Sequence, residues 1–269
     1  MTPERDAAAG AGADVALLLG TAVEAARAVG PMLRKAFRSR PEVTTKRDFH
    51  DPVTEHDRAA EEIIRAVIGD RVPGSAIVGE EGGATGSGDL VWYVDPIDGT
   101  ANFATGLPFF CVSIAAAVRG ELVAGIVYDP VRDDEFTAAA EGAWCNGTPI
   151  RSAGAARDRE AMLLSSYPTP LDLETDGDLA LRRHGRFLES FSAVRRPGSA
   201  ALKLAHVAAG WSDAAFGTRA NPWDVAAGAL LVRRAGGVYL GDPLAKGDYL
   251  AHVGGFDLAA SALAEVVPR

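Results

Sequence analysis

Residues 90–100 read Leu-Val-Trp-Tyr-Val-Asp-Pro-Ile-Asp-Gly-Thr. The apolar run Leu90–Val94 has the pattern of a buried strand. It meets two acids, with a proline and an isoleucine between them. Proline cannot donate to a sheet ladder, so the strand is expected to stop after Val94. Asp95 and Asp98 would then sit close together on a stiff turn at a strand end. Like charges at that spacing are costly, and a divalent cation is the usual compensator. A helix opening at Gly99-Thr100 would add free N–H groups, an anion site beside the cation site. An acidic turn closed by a glycine is the plainer reading, and this stretch alone leaves both open.

The remaining composition narrows the classes. The 269 residues suit one large domain or two intimate sub-domains, with 48% hydrophobic residues to fill a core. Mean hydropathy is +0.05. A net charge of −9 argues against a nucleic-acid partner. Two cysteines, Cys111 and Cys145, provide neither a disulfide framework nor a thiolate metal motif. Residues 1–12 are polar and Ala-rich, lack the pattern of a signal peptide, and read as a mobile tail. The sequence reading finds no membrane span and takes the cytoplasm as the setting.

Along the chain, apolar residues from Val15 to Phe37 recur at helical spacing, with a kink expected at Gly30-Pro31. A second helix opens at Thr54, with Asp57 three residues on as a capping-box partner. Residues 76–150 read as a largely antiparallel sheet, with a turn at Asn146-Gly147 and a flexible connection over 84–88. From residue 162 strands alternate with helices, an α/β layer closed by a helix over 256–266. The sub-domains expected are 13–152, carrying the site, and 153–269, completing it.

Other residues have two readings each. Asp57 caps a helix, or aims a carboxylate at a reacting water. Glu80 ends a second strand just ahead of Asp95, where α/β and α+β proteins build sites. Gly198 and Ser199 open a helix as ordinary caps, or as an anion- or hydroxyl-binding edge. Asp224 follows Pro222-Trp223 in a helix first turn, favoured there by the dipole alone.

Taken together, Asp51-x-Val-Thr-x-x-Asp57, Gly79-Glu80-Glu81, Trp92-x-x-Asp95-Pro-Ile-Asp98-Gly-Thr100-x-Asn102-Phe103 and Pro222-Trp223-Asp224-x-Ala-Ala-Gly228 resemble the inositol monophosphatase family. These are magnesium-dependent, lithium-inhibited phosphatases related to fructose-1,6-bisphosphatase. The resemblance implies a layered α-β-α-β-α sandwich, usually a homodimer. It implies that Glu80, Asp95 and the Ile97 carbonyl hold one Mg²⁺, and that Asp95, Asp98 and Asp224 hold a second. Asp57 and Thr100, with Glu80, would serve the attacking water. The Gly99 and Thr100 amides, with Asp98, Gly198, Ser199 and Asp224, would meet a small phosphorylated substrate, and Lys46 would be accessory. Hydrolysis would need no covalent intermediate.

One position departs from the pattern. Inositol-specific members typically carry a glutamate seven residues before the Asp of the Trp-Asp motif, where it binds substrate hydroxyls. Here that residue is Gly217. Partners of this kind dominate discrimination among polyols. Arg219 nearby is either a surface arginine or a contact for a second anionic group. The substrate is therefore open among inositol phosphate, fructose 1,6-bisphosphate, histidinol phosphate and 3′-phosphoadenosine 5′-phosphate. An interaction or regulatory protein of low activity is the reading from another class.

Overall fold

The computed structural model describes residues 4–39, 41–45 and 52–268. Helix α1 spans Glu4–Ala36, starting ahead of the helix expected from Val15, because its Ala-rich lead has high helix propensity. By length and composition Val15–Ala36 could cross a membrane, which the sequence reading did not expect. Here its apolar stripe of Leu18, Ala22, Ala25, Ala26, Val29 and Leu33 is buried, as in a core helix. Strands β1 (Val43–Thr45) and β2 (Pro52–Thr54) pair as a small hairpin ahead of α2 (Glu55–Arg71). Lys46 and Asp51 lie outside the described residues.

An eight-stranded sheet follows. Its strands are β3 (Ala76–Gly79), β4 (Gly83–Thr85), β5 (Leu90–Asp98), β6 (Cys111–Val118), β7 (Glu121–Asp129), β8 (Asp134–Ala139), β9 (Gly142–Cys145) and β10 (Thr148–Pro149). Helix α3 (Thr100–Thr105) joins β5 to β6. The order is β10-β9-β8-β7-β6-β5-β3-β4, antiparallel except where β3 runs parallel to β5. The Asn146-Gly147 turn has both residues at positive φ, as its hairpin requires. Residues 83–85 form a short edge strand that overlaps the start of the connection over 84–88 expected to be flexible. Strand β5 does not stop at Val94. It continues through Pro96 to Asp98, because the register against β6 shifts between Asp95 and Asp98 and no ladder bond is asked of the proline.

The second half contains β11 (Met162–Ser165), α4 (Pro170–Asp176), α5 (Asp178–Ser190), β12 (Ala193–Arg195), α6 (Ala200–Ala208), β13 (Ala214–Ala220), α7 (Pro222–Arg234), β14 (Val238–Leu240) and β15 (Gly247–His252). Its five-stranded sheet has the order β12-β11-β13-β15-β14. Helix α4 and strand β15 were not anticipated. The expected closing helix is two 3₁₀ turns, Leu258–Ala260 and Ala262–Val266. Ser261 separates them by accepting the Leu263 amide and starting the second.

The layers follow from which faces are apolar. Helices α1 and α2 cover one face of the large sheet. Helices α6 and α7, apolar nearly all round, fill the space between the two sheets. Helix α5 closes the far side, where Phe187 meets Phe216 and Tyr167. The result is the α-β-α-β-α sandwich. The end of β5 and the starts of α2, α3, α6 and α7 converge at one edge of it.

Candidate active site

Helix α2 begins in a reciprocal cap. Asp57 Oδ2 accepts the Thr54 amide at 2.8 Å and the Thr54 hydroxyl at 2.6 Å. This fixes the carboxyl plane and turns Oδ1 toward α3. Thr100 Oγ1 lies 2.9 Å from that oxygen and 3.0 Å from the Ile97 carbonyl oxygen. The two readings of Asp57 are therefore compatible, since one oxygen caps and the other faces the site. Gly99 holds φ at 102°, and a Cβ there would lie 3.1 Å from the Phe109 carbonyl oxygen. Only glycine makes this turn comfortably.

Asp95 is buried and accepts the Ile97 amide at 2.9 Å. Asp98 is buried and takes three donors from α6: the Ser199 hydroxyl at 2.6 Å and the Ala201 and Ala200 amides at 2.5 and 3.1 Å. The α6 N-terminus thus binds the chain's own carboxylate. Ser199, expected among the substrate contacts, orients Asp98. Gly198 packs on Asn102, whose amide donates at 2.7 Å to both the Phe109 and Pro197 carbonyls. Asp224 is the third residue of α7, its Oδ2 accepting the Asn221 amide at 2.6 Å.

Ligand oxygens of Asp95, Asp98 and Asp224 lie within 4.8 Å of one another, the grouping among the described residues that could hold a metal. Burial raises the carboxyl pKa of each. Glu80, Asp98 and Asp224 raise Asp95 further, well above the usual range. Asp224 is pushed up to about 8 by burial and the charge of Asp98. Asp98 is also raised by burial, offset in part by the α6 donors and Lys203. The donor set fits a hard divalent cation: three clustered carboxylates that burial and mutual repulsion leave short of positive charge.

Glu80 reaches this group from the end of β3, where its amide donates to the Val94 carbonyl at 3.2 Å. Its turn is pinned by a residue the sequence reading passed over. Buried Glu61 of α2 accepts the Glu81 and Gly82 amides at 2.7 and 2.8 Å and pairs with Arg65 at 2.7 Å. Arg219 is not gathered with the aspartates. Its guanidinium pairs with Asp172 and donates to Thr175 on α4, facing a pocket that none of the three aspartates lines. Lys203 was also missed, although a lysine within Ala201-Leu202-Lys203-Leu204-Ala205 is a visible anomaly on an apolar helix.

The four elements carrying acids meet at one edge of the sandwich. A profile of the inositol monophosphatase family matches residues 14–265. This chain belongs to the inositol monophosphatase family. It is 40% identical to "Nus factor SuhB" of Pseudomonas aeruginosa over 227 residues, 82% of this chain and 84% of that one. The extragenic suppressor protein suhB of Bartonella henselae superposes with a TM-score of 0.83 at 33% identity, covering 88% of this chain and 94% of the other. An inositol monophosphatase from Anabaena superposes at 0.81 with 32% identity, covering 95% and 98%. Within the family fold, the acid cluster here stands at the sandwich edge where β5 ends and α7 begins.

Proposed function

We propose that this family member is a magnesium-dependent phosphomonoesterase acting on a small polyol- or sugar-type phosphate. The observation that carries the reading is the Asp95–Asp98–Asp224 cluster set beside the Asp57–Thr100 hydrogen bond. Glu80, Asp95 and the Ile97 carbonyl would hold one ion, and Asp95, Asp98 and Asp224 another. Magnesium, when bound, neutralises charge building on the transferred phosphoryl group and acidifies neighbouring water.

The chain's own groups account for the rest. The Thr100 hydroxyl donates to Asp57 and keeps a lone pair for a water proton. As that water attacks phosphorus, its proton passes to Thr100 Oγ1 while the Thr100 proton moves to Asp57. First-turn amides at Gly99 and Thr100 donate to the phosphoryl oxygens. The P–O ester bond breaks and the leaving alkoxide takes a proton from solvent water, while the proton held on Asp57 returns to solvent and restores the balance. No covalent nucleophile is called for, and burial holds the nearby Cys111 thiol well above its ordinary pKa.

The test is phosphate release from a panel of phosphomonoesters, with and without Mg²⁺ and with millimolar Li⁺ added. Mg²⁺-dependent, Li⁺-sensitive turnover supports the reading. Equal turnover in EDTA sinks it. A homodimer in the cytoplasm completes the proposal, by family resemblance and in keeping with two free cysteines.

The relative named a Nus factor favours a second reading, a protein-interaction role on the same fold. Asp98→Asn separates the two: loss of hydrolysis with cellular function intact would favour interaction over catalysis.

A further inference from the structure

Lys203 is 2% exposed, and no carboxylate among the described residues stands at ion-pair distance from it. Its ammonium donates to Ser166 Oγ at 3.1 Å and lies 5.8 Å from the centre of the Tyr249 ring. A buried ammonium is costly without a counter-charge. Asp98 and Asp224 act on it only through space, the exposed Arg196 opposes them, and burial lowers its pKa to about 8. A second buried polar group lies on the same wall. Tyr249 is 1% exposed and its hydroxyl has no hydrogen-bond partner.

The wall exists because of Gly217. In the sheet Gly217 stands opposite Tyr249, and a Cβ on it would lie 2.5 Å from Tyr249 Cε1. The tyrosine ring occupies the room a side chain at 217 would need. That ring in turn faces Lys203, four residues after Ser199 on α6 and so on the same helix face. Ser199 holds Asp98. The cationic wall is therefore one helical turn from the acid cluster, and Ser166, which Lys203 reaches, is half-buried.

We propose that Lys203, Ser166 and the Tyr249 hydroxyl form a subsite for a second anionic group on the substrate, a carboxylate or a second phosphate. The inference rests on the phosphomonoesterase reading and narrows it. The preferred substrate carries two anionic groups, and a neutral polyol monophosphate is the poorer one. A carboxylate or phosphate oxygen would supply the counter-charge that Lys203 lacks and the acceptor that the Tyr249 hydroxyl lacks.

Three probes test it: glycerol 2-phosphate, 3-phosphoglycerate and fructose 1,6-bisphosphate. The wild type should favour in kcat/KM one or both of the compounds that carry a second anionic group. K203M, which keeps the side-chain volume, should cut that preference by about 10–100-fold, mainly through KM. K203Q should do the same, and Y249F should cut it less. The two probes with a second anionic group tell carboxylate from phosphate. If the wild type shows no preference, or if K203M leaves the ratio unchanged, the subsite is overturned and Lys203 only balances the aspartates. If none of the probes is hydrolysed, the phosphatase reading fails separately, and melting temperature decides the subsite. A larger rise with a probe carrying a second anionic group than with glycerol 2-phosphate, lost in K203M, sustains it; equal rises overturn it.

Discussion

Thr100 on α3 and Asp57 on α2 are joined by a 2.9 Å hydrogen bond across 43 residues of sequence. The bond sets the direction of the threonine proton. Thr100→Ala removes the relay without touching the cluster. It should lower kcat by about 10²–10⁴-fold, the usual worth of a positioned acid–base group, with little change in KM. Thr100→Ser should recover most of the rate. A Thr100→Ala enzyme with wild-type kcat would remove Thr100 from the mechanism.

Glu61 acts one step further out. Its two oxygens hold the turn that delivers Glu80. Glu61→Gln loses the charge and turns one acceptor into a donor facing an amide. The change should cost about 1–3 kcal/mol of stability and weaken Mg²⁺ activation, raising the Mg²⁺ concentration at half-maximal rate. Calorimetric unfolding and a Mg²⁺ titration check the two parts. A stability loss with unaltered Mg²⁺ dependence would confine Glu61 to folding.

How much of this was legible follows from which residues were local. The strand into Asp95, the cap at Thr54–Asp57 and the α7 start at Asp224 are written in adjacent residues, so pattern and turn chemistry reach them. The motif resemblance joined them before any distance was known. The continuation of β5 through Pro96 was not legible, because a register shift in the partner strand decides it. Nor was Arg219, whose partner Asp172 is 47 residues away on a helix that was not foreseen. Ser199 read as a cap, and it is one. That its hydroxyl also holds Asp98, 101 residues away, depends on how α6 docks between the sheets.

Asp224 sets a pH dependence for the metal-free protein. Its folded pKa is about 8 against an ordinary value of 3.8. Between these values the folded state keeps a proton that the unfolded chain has released. Stability therefore falls as pH rises through that window. Mg²⁺ needs the ionised carboxylates, so the stabilisation it gives should grow over the same range. Melting curves from pH 5 to 8, in EDTA and in Mg²⁺, should diverge as pH rises. Asp224→Asn should flatten the EDTA curve. Parallel curves would argue against a cation at this cluster.

His206 gives the opposite slope, far from any acid chemistry. Its ring packs edge-on to Phe109 at 5.3 Å and Trp211 at 5.2 Å, with Phe136 behind them. Burial lowers its pKa from 6.5 to about 4. Arg132 pushes the same way, and Asp129 and Asp134 oppose it. Below pH 6.5 the unfolded chain takes up a proton that the folded ring refuses. The stability of the neutral ring is complete above 6.5 and is lost as pH falls toward 4. His206→Phe removes the titration and keeps an aromatic ring among the others. Between pH 6.5 and 4.5 its melting temperature should fall less than that of the wild type, while the two curves run parallel above pH 7. Equal slopes below 6.5 would mean that the ring takes up its proton in the folded state as readily as in water, and that the aromatic cluster does not exclude it.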